Sequence, residues 1–169
     1  LKTRRFDVVR LQYRGADGQT HVRDVARHPG AVTILPLIDE STVCLIRNYR
    51  VAVDETLIEL PAGTLEPGEH PSVTAGRELE EETGYRAASL EKLCEFFMSP
   101  GVLSERMILY LATQLSPGPA RLERGELIEP LVVSWDEAMS LVERGEIRDS
   151  KSLCGLLWYD RFRRRATAG

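Results

Sequence analysis

The chain is poor in cysteine, and what it has is badly spaced for a framework role. Cys44, Cys94 and Cys154 are far apart, odd in number and free of any CxxC spacing. A disulfide scaffold and a cysteine zinc knuckle are both excluded on that pattern, and the three read as reduced core residues of a cytoplasmic protein. Histidine is equally scarce. His21, His28 and His70 do not stand at ligand spacing and read as structural or exposed. No apolar run approaches the length of a membrane span. No stretch has the pattern of a secretory signal. The net charge of −4 gives no general attraction to nucleic acid or to anionic membrane. Internal repeats and low-complexity segments are also missing.

What remains is an ordinary globular composition, 43 % hydrophobic and 28 % charged over 169 residues, enough for one domain with a proper core. Phe6–Tyr13 and His21–Arg27 flank the turn signal Ala16-Asp17-Gly18, which predicts an N-terminal antiparallel hairpin over residues 1–29. Gly30 breaks it and the main domain follows over 30–169. Ala31–Leu37 is nearly all apolar, as in a strand buried on both faces, and Thr42–Asn48 should pair with it. Thr56–Leu60 is a further short strand, ended by Pro61-Ala62-Gly63, a turn that can leave a carbonyl pointing inward. Ala88–Pro100, Met107–Thr113 and Leu127–Val133 read as later strands, and Leu115–Arg124 as a surface loop. Ser134 with Glu137 forms a capping box for a helix to about Arg144. Asp149 or Ser150 caps a last helix carrying Leu153, Leu156, Leu157 and Phe162, with the basic end RFRRR suited to the helix dipole. Strands with three helices among them predict a mixed α/β layered fold.

A helix from about Pro71 to Thr83 carries the chemistry. Pro71 suits its first position and Gly84 the position after its end, with Val73, Ala75 and Leu79 expected on the buried side. Glu78, Glu81 and Glu82 stand at i, i+3 and i+4 and share one face, while Glu80 points elsewhere. Carboxylates at a helix C-terminus repel one another and the dipole, so a bound cation would relieve them. Hard oxygen ligands suit Mg²⁺ or Mn²⁺ better than Zn²⁺. The bland alternative is an exposed acidic face. Glu69 and Arg77 flank the helix start and are placed to pair. Arg47 and Arg50 follow a buried strand, either as a solvated strand end or as a phosphate clamp.

Residues 63–85 resemble the Nudix box, G-x5-E-x7-R-E-U-x-E-E-x-G-U with U apolar. It is filled by Gly63, Glu69, Arg77, Glu78, Leu79, Glu81, Glu82, Gly84 and Tyr85, the last less aliphatic than usual. The resemblance implies an α/β/α sandwich with a mixed sheet, and hydrolysis of a nucleoside diphosphate linked to another moiety with divalent cations. Flanking residues resemble the ADP-ribose pyrophosphatase branch. They are the entry Glu59-Leu60-Pro61-Ala62-Gly63, Pro100 at 16 residues after Gly84, the loop Ser99–Glu105, and Gly145–Lys151 as a G-x-I-x-D-x-K segment. The branch implies ADP-ribose as substrate, giving AMP and ribose 5-phosphate. The alternatives are GDP-mannose, another nucleotide sugar or a dinucleotide, and a nucleotide-sensing module without turnover. Carried over by position, the metal ligands are the Ala62 carbonyl, Glu78 and Glu82, with Glu81 contributing, and the ion Mg²⁺ or Mn²⁺. Glu105 matches a loop glutamate that acts as general base or orients water, and reads otherwise as an exposed loop acid. A box glutamate, Glu81 or Glu82, is the other candidate to take the proton. Arg50 matches a substrate-contacting arginine, with Arg47 beside it. Glu59 contacts substrate or is a strand-end charge. Glu126 and Glu129 stand where relatives carry acids, in open roles. The N-terminal hairpin resembles strands through which that branch forms homodimers.

Overall fold

The computed structural model describes residues 1–3, 6–122 and 125–164. β1 (Asp7–Arg14) and β2 (Thr20–Arg27) form the expected antiparallel hairpin, in register from Asp7 opposite Arg27 to Arg14 opposite Thr20. The chain continues through β3 (Ala31–Asp39), β4 (Thr42–Arg50), β5 (Glu55–Glu59), β6 (Ala62–Thr64), α1 (Pro71–Thr83), β7 (Tyr85–Phe97), β8 (Arg106–Pro117), β9 (Ile128–Ser134), α2 (Trp135–Glu143) and α3 (Ser150–Tyr159). One π-helical turn, Asp160–Arg164, follows α3.

The sheet is mixed, in the order β5-β4-β3-β8-β7, with β6 added to β3 and β9 to β4. β3 lies parallel to β8 and antiparallel to β6. The apolar run of β3 is buried on both faces, and its alternation sends the two sets of side chains to different layers. Val32 and Ile34 pack with Ala75 and Leu79 of α1. Leu35 and Leu37 pack with Trp135, Ala138 and Leu141 of α2 and Leu156 of α3. Each fully buried Leu or Ile contributes ~1.5–3 kcal/mol. The sheet between α1 on one face and α2 with α3 on the other is the expected α/β/α sandwich.

Several local expectations change. β3 and β4 pair only near their shared turn, at Leu37–Val43 and Asp39–Thr42, then part to separate neighbours. Leu115 to Pro117 is strand rather than loop, because Tyr85 to Ala87 pairs with it. Glu123 and Arg124 of that expected loop, and Arg165 of the basic end, lie outside the described residues. Val73 is exposed, since six residues from Leu79 is the wrong helical angle, and Ala75, Leu79, Glu82 and Thr83 form the buried face. Cys154 is exposed, as are Leu157 and Phe162, while Cys44 is buried and Cys94 half-buried. All three cysteines are free. Burial pushes the Cys44 thiol up to about 12, so it is an inert core group. Asp149, not Ser150, caps α3, accepting from the Ser152 N–H.

Candidate active site

Helix α1 is fastened at both ends by its own sequence. Pro71 opens it, and the His70 ring accepts from the Ser72 N–H at 3.3 Å. At the far end Gly84 turns left-handed, φ 77°, and its N–H reaches the Glu80 carbonyl. Gly84 is required twice over, since a Cβ there would also stand 2.3 Å from the Gly118 carbonyl oxygen. The same loop closes the helix end, because the Arg121 N–H donates to the Glu81 carbonyl at 2.9 Å.

The carboxylates lie on the face turned to β6. Arg77 Nη1 donates to Glu78 Oε1 at 2.8 Å and to Glu81 Oε2 at 2.9 Å. Its Nη2 stands 3.4 Å from Glu69, which also accepts from Thr74 Oγ1 at 2.7 Å. The expected brace of loop against helix is therefore present. Burial works against the Arg77 charge, but Glu69, Glu78 and Glu81 outweigh it and hold the guanidinium firmly protonated. Arg77 Nε is buried without a hydrogen-bond partner. Glu80, pointing away from Glu78, Glu81 and Glu82, pairs with Arg86 at 2.6 Å on the exposed side.

Glu82 is 4 % exposed and accepts the Ala62 N–H at 3.0 Å. Pro61 O takes the Ile34 N–H and Leu65 N–H reaches Gly30 O, which leaves Ala62, between them and opposite Thr33, at a non-hydrogen-bonded position of the β3–β6 ladder. An extended residue there turns its N–H and C=O to the same side, away from β3. The Ala62 carbonyl thus shares the side of the N–H that meets Glu82. Gly63 lies against Glu78 so closely that a Cβ would be 1.9 Å from its carboxyl carbon.

Loss of water pushes Glu78 up to about 7, partly countered by Arg77 and increased by Glu81 and Glu126. Desolvation likewise pushes Glu82 up to about 8, against the Ala62 N–H and with repulsion from Glu78 and Glu126. Glu126, whose role the sequence left open, is thus close enough to act on both. Among the described residues no three His, Cys, Asp or Glu groups stand together as a metal cage. Arg77 draws Glu78 and Glu81 to itself, and the Ala62 N–H holds Glu82. The donor chemistry nevertheless fits a divalent cation. Buried and half-buried, mutually repelling carboxylates beside an outward backbone carbonyl are hard oxygen donors whose repulsion such an ion would cancel.

Arg50, which the sequence left as a solvated strand end or a phosphate clamp, is held by a buried carboxylate. Glu59 is 1 % exposed and grips Arg50 through both oxygens, Nε to Oε1 at 2.8 Å and Nη2 to Oε2 at 2.6 Å. Lys151 Nζ adds a contact of 2.5 Å to Glu59 Oε2. Arg47 is exposed, opposite Ile58 on one side and Glu129 on the other. Glu105 sits just before β8 in a loop stapled to the hairpin. Ala26 N–H donates to Val102 O, Ser104 N–H to Ala26 O, and His28 N–H to Ser104 Oγ. Glu105 Oε1 is 3.7 Å from His28 Nδ1. That nitrogen accepts the Gly30 N–H at 3.1 Å, and its 3.7 Å separation from Glu105 is longer than a hydrogen bond. Lys151 and Ser152 had no assigned role in the sequence. The G-x-I-x-D-x-K segment was the available signal, but only the fold shows what its lysine meets.

A family profile described as NUDIX domain matches residues 27–155. An ADP-ribose pyrophosphatase of Bacillus subtilis is 40 % identical over 80 % of this chain and 75 % of its own. A methanol dehydrogenase activator of Bacillus methanolicus is 40 % identical over 86 % and 82 %. A GDP-mannose pyrophosphatase of Cronobacter sakazakii is 38 % identical over 81 % and 78 %. A crystal structure of an ADP compounds hydrolase superposes with a TM-score of 0.82, covering 96 % of this chain and 88 % of that one at 24 % identity, a likeness of fold. With the box of residues 63–85 complete, the chain belongs to the Nudix family and is one of its pyrophosphohydrolases, enzymes that generally need a divalent metal.

Proposed function

We propose that the protein hydrolyses the pyrophosphate of a nucleoside diphosphate sugar, ADP-ribose first, with Mg²⁺ held by Glu78, Glu81, Glu82 and the Ala62 carbonyl. The observation that carries the reading is the carboxylate face of α1, Glu82 buried and Glu78 and Glu81 half-buried, opposite the outward backbone of Ala62. Mn²⁺ suits the same oxygens. The ion supplies polarisation of phosphoryl oxygens and a more acidic bound water.

The chain's own groups do the rest. Arg50, held by Glu59 and with 38 % of its side chain exposed, meets phosphate oxygens, and the exposed Arg47 lies on the same strand. Glu105, or failing it Glu81 or Glu82, accepts the proton of the attacking water. A P–O bond forms to that water and the bridging P–O bond breaks. ADP-ribose then gives AMP and ribose 5-phosphate. GDP-mannose is the second reading, favoured by the relative that carries that activity's name.

The hairpin supports a homodimer. β1 and β2 pair with each other, are tied to the domain at Ala26 and His28, and expose Val8, Tyr13 and Val22. Three free cysteines fit a reducing cytoplasm. The test is phosphate release, with a coupled phosphatase, from a panel of nucleotide sugars in Mg²⁺. ADP-ribose should turn over fastest. Tight binding without turnover on any member of the panel would replace the enzyme by a sensor.

A further inference from the structure

A buried ion network crosses from α3 to the edge of the site. Lys151, 4 % exposed, joins Glu59 at 2.5 Å and Asp149 at 2.7 Å. Asp149 Oδ2 also accepts from the Ser152 N–H and hydroxyl, and Ser152 Oγ in turn accepts the Leu60 N–H at 2.7 Å. The first turn of α3 therefore clasps both Glu59 and the strand end that leads into Ala62. Glu59 Oε2 is shared between Lys151 Nζ and Arg50 Nη2. Arg50 is the member with the most open side chain, at 38 % exposure against 6 % for Lys151 and 1 % for Glu59.

Stability alone is a weak reason for such a network. Buried ion pairs are commonly matched or bettered by apolar residues of the same volume. Direction is the better reason. A carboxylate with one cation partner can swing with it. A carboxylate pinned from the far side by a buried ammonium presents its second partner at one fixed angle. The network also borders the metal face, since Lys151 acts on the charge of Glu82, and Glu82 on that of Arg50.

We propose that Lys151 is a positioning residue for the substrate diphosphate: it pins Glu59, and Glu59 fixes the direction in which Arg50 meets the phosphates. The inference rests on the reading of Arg50 as a substrate contact. Loss of the ammonium leaves Glu59 buried beside Arg50 alone, and the guanidinium follows it inward, away from the diphosphate.

The test uses the full chain, Mg²⁺ and ADP-ribose, with Lys151→Met, Lys151→Arg, Arg50→Ala and the double variant. Lys151→Met should raise KM about tenfold or more, with kcat changed much less, and Lys151→Arg should recover most of the loss. In the Arg50→Ala background Lys151→Met should add little, because its effect passes through Arg50. Should Lys151→Met fail to fold, Glu59→Gln with Lys151→Met removes both buried charges together and should raise KM in the same way. Additive effects in the double variant, or a raised KM for Arg50→Ala with none for Lys151→Met, overturn the proposal while leaving the functional reading intact. An unchanged KM for Arg50→Ala removes the substrate role of Arg50, and the proposal with it.

Discussion

Replacing Gly63 by alanine separates the site from the fold. The backbone of Gly63 is not in the left-handed region, so a side chain strains nothing locally. The difficulty is space. A Cβ would lie 1.9 Å from Glu78 Cδ, 2.1 Å from Oε1 and 2.3 Å from Cγ. Ordinary contact begins at 3.4 Å, so the carboxyl group must retreat by about 1.5 Å. It is the end of a flexible chain and can do so, which limits the stability cost to about 1–3 kcal/mol. Its new place is wrong for chemistry, however, and a misplacement of about 1 Å costs on the order of 10²-fold in rate. Gly63→Ala should therefore give a folded protein with a modestly lower Tm and turnover reduced about 100-fold. Thermal unfolding beside Mg²⁺-dependent hydrolysis of ADP-ribose, read as phosphate released by a coupled phosphatase, measures both. A folded variant with wild-type turnover would refute the idea that the Gly63 backbone seats Glu78 for catalysis.

The remaining expectations test other parts of the same geometry. Glu82→Gln should lower turnover by orders of magnitude, yet raise the Tm of the metal-free protein near pH 8, because it removes a buried charge repelled by Glu78; a lower Tm would show that Glu82 is structurally paired. Glu105→Gln should slow turnover with metal affinity unchanged by titration calorimetry, and lost affinity would make Glu105 a ligand. The folded values of Glu78 and Glu82, about 7 and about 8, lie above the 4.5 of a free glutamate. The unfolded chain then holds fewer protons on these two groups, so their contribution to metal-free stability is full below about 4.5 and is lost as pH rises through about 7 to 8. The gain in Tm on adding Mg²⁺ should grow over that interval, and a gain that shrinks would place the ion elsewhere.

Much of this was legible in the chain as written. The hairpin turn Ala16-Asp17-Gly18, the capping residues Ser134 and Asp149, the helix stop at Gly84 and the carboxylate spacing of Glu78, Glu81 and Glu82 all depend on neighbours within a few positions. Such signals are local and survive without coordinates. The two-faced burial of β3 was legible as well, because a nearly continuous apolar run has few other places to go. The errors fell where one neighbour had to be weighed against a distant one. Val73 turned outward because the packing of Ala75 and Leu79 on β3 set the helix rotation. Leu115 to Pro117 became strand because Tyr85 to Ala87 supplied the missing ladder partner.

The complete box, the carboxylate spacing on one helix face and the layered α/β class are therefore properties of residue order, carried by spacings of three, four or a few positions. Three things belong to the tertiary structure. One is the meeting of Glu82 with the outward Ala62 backbone. Another is the crowding of Gly63 against Glu78. The third is the linkage of Lys151 to Glu59, 92 residues away in the chain, and through it to Arg50. Each joins groups from different elements, and their separation in space is set by how the sheet and helices pack rather than by any interval along the sequence.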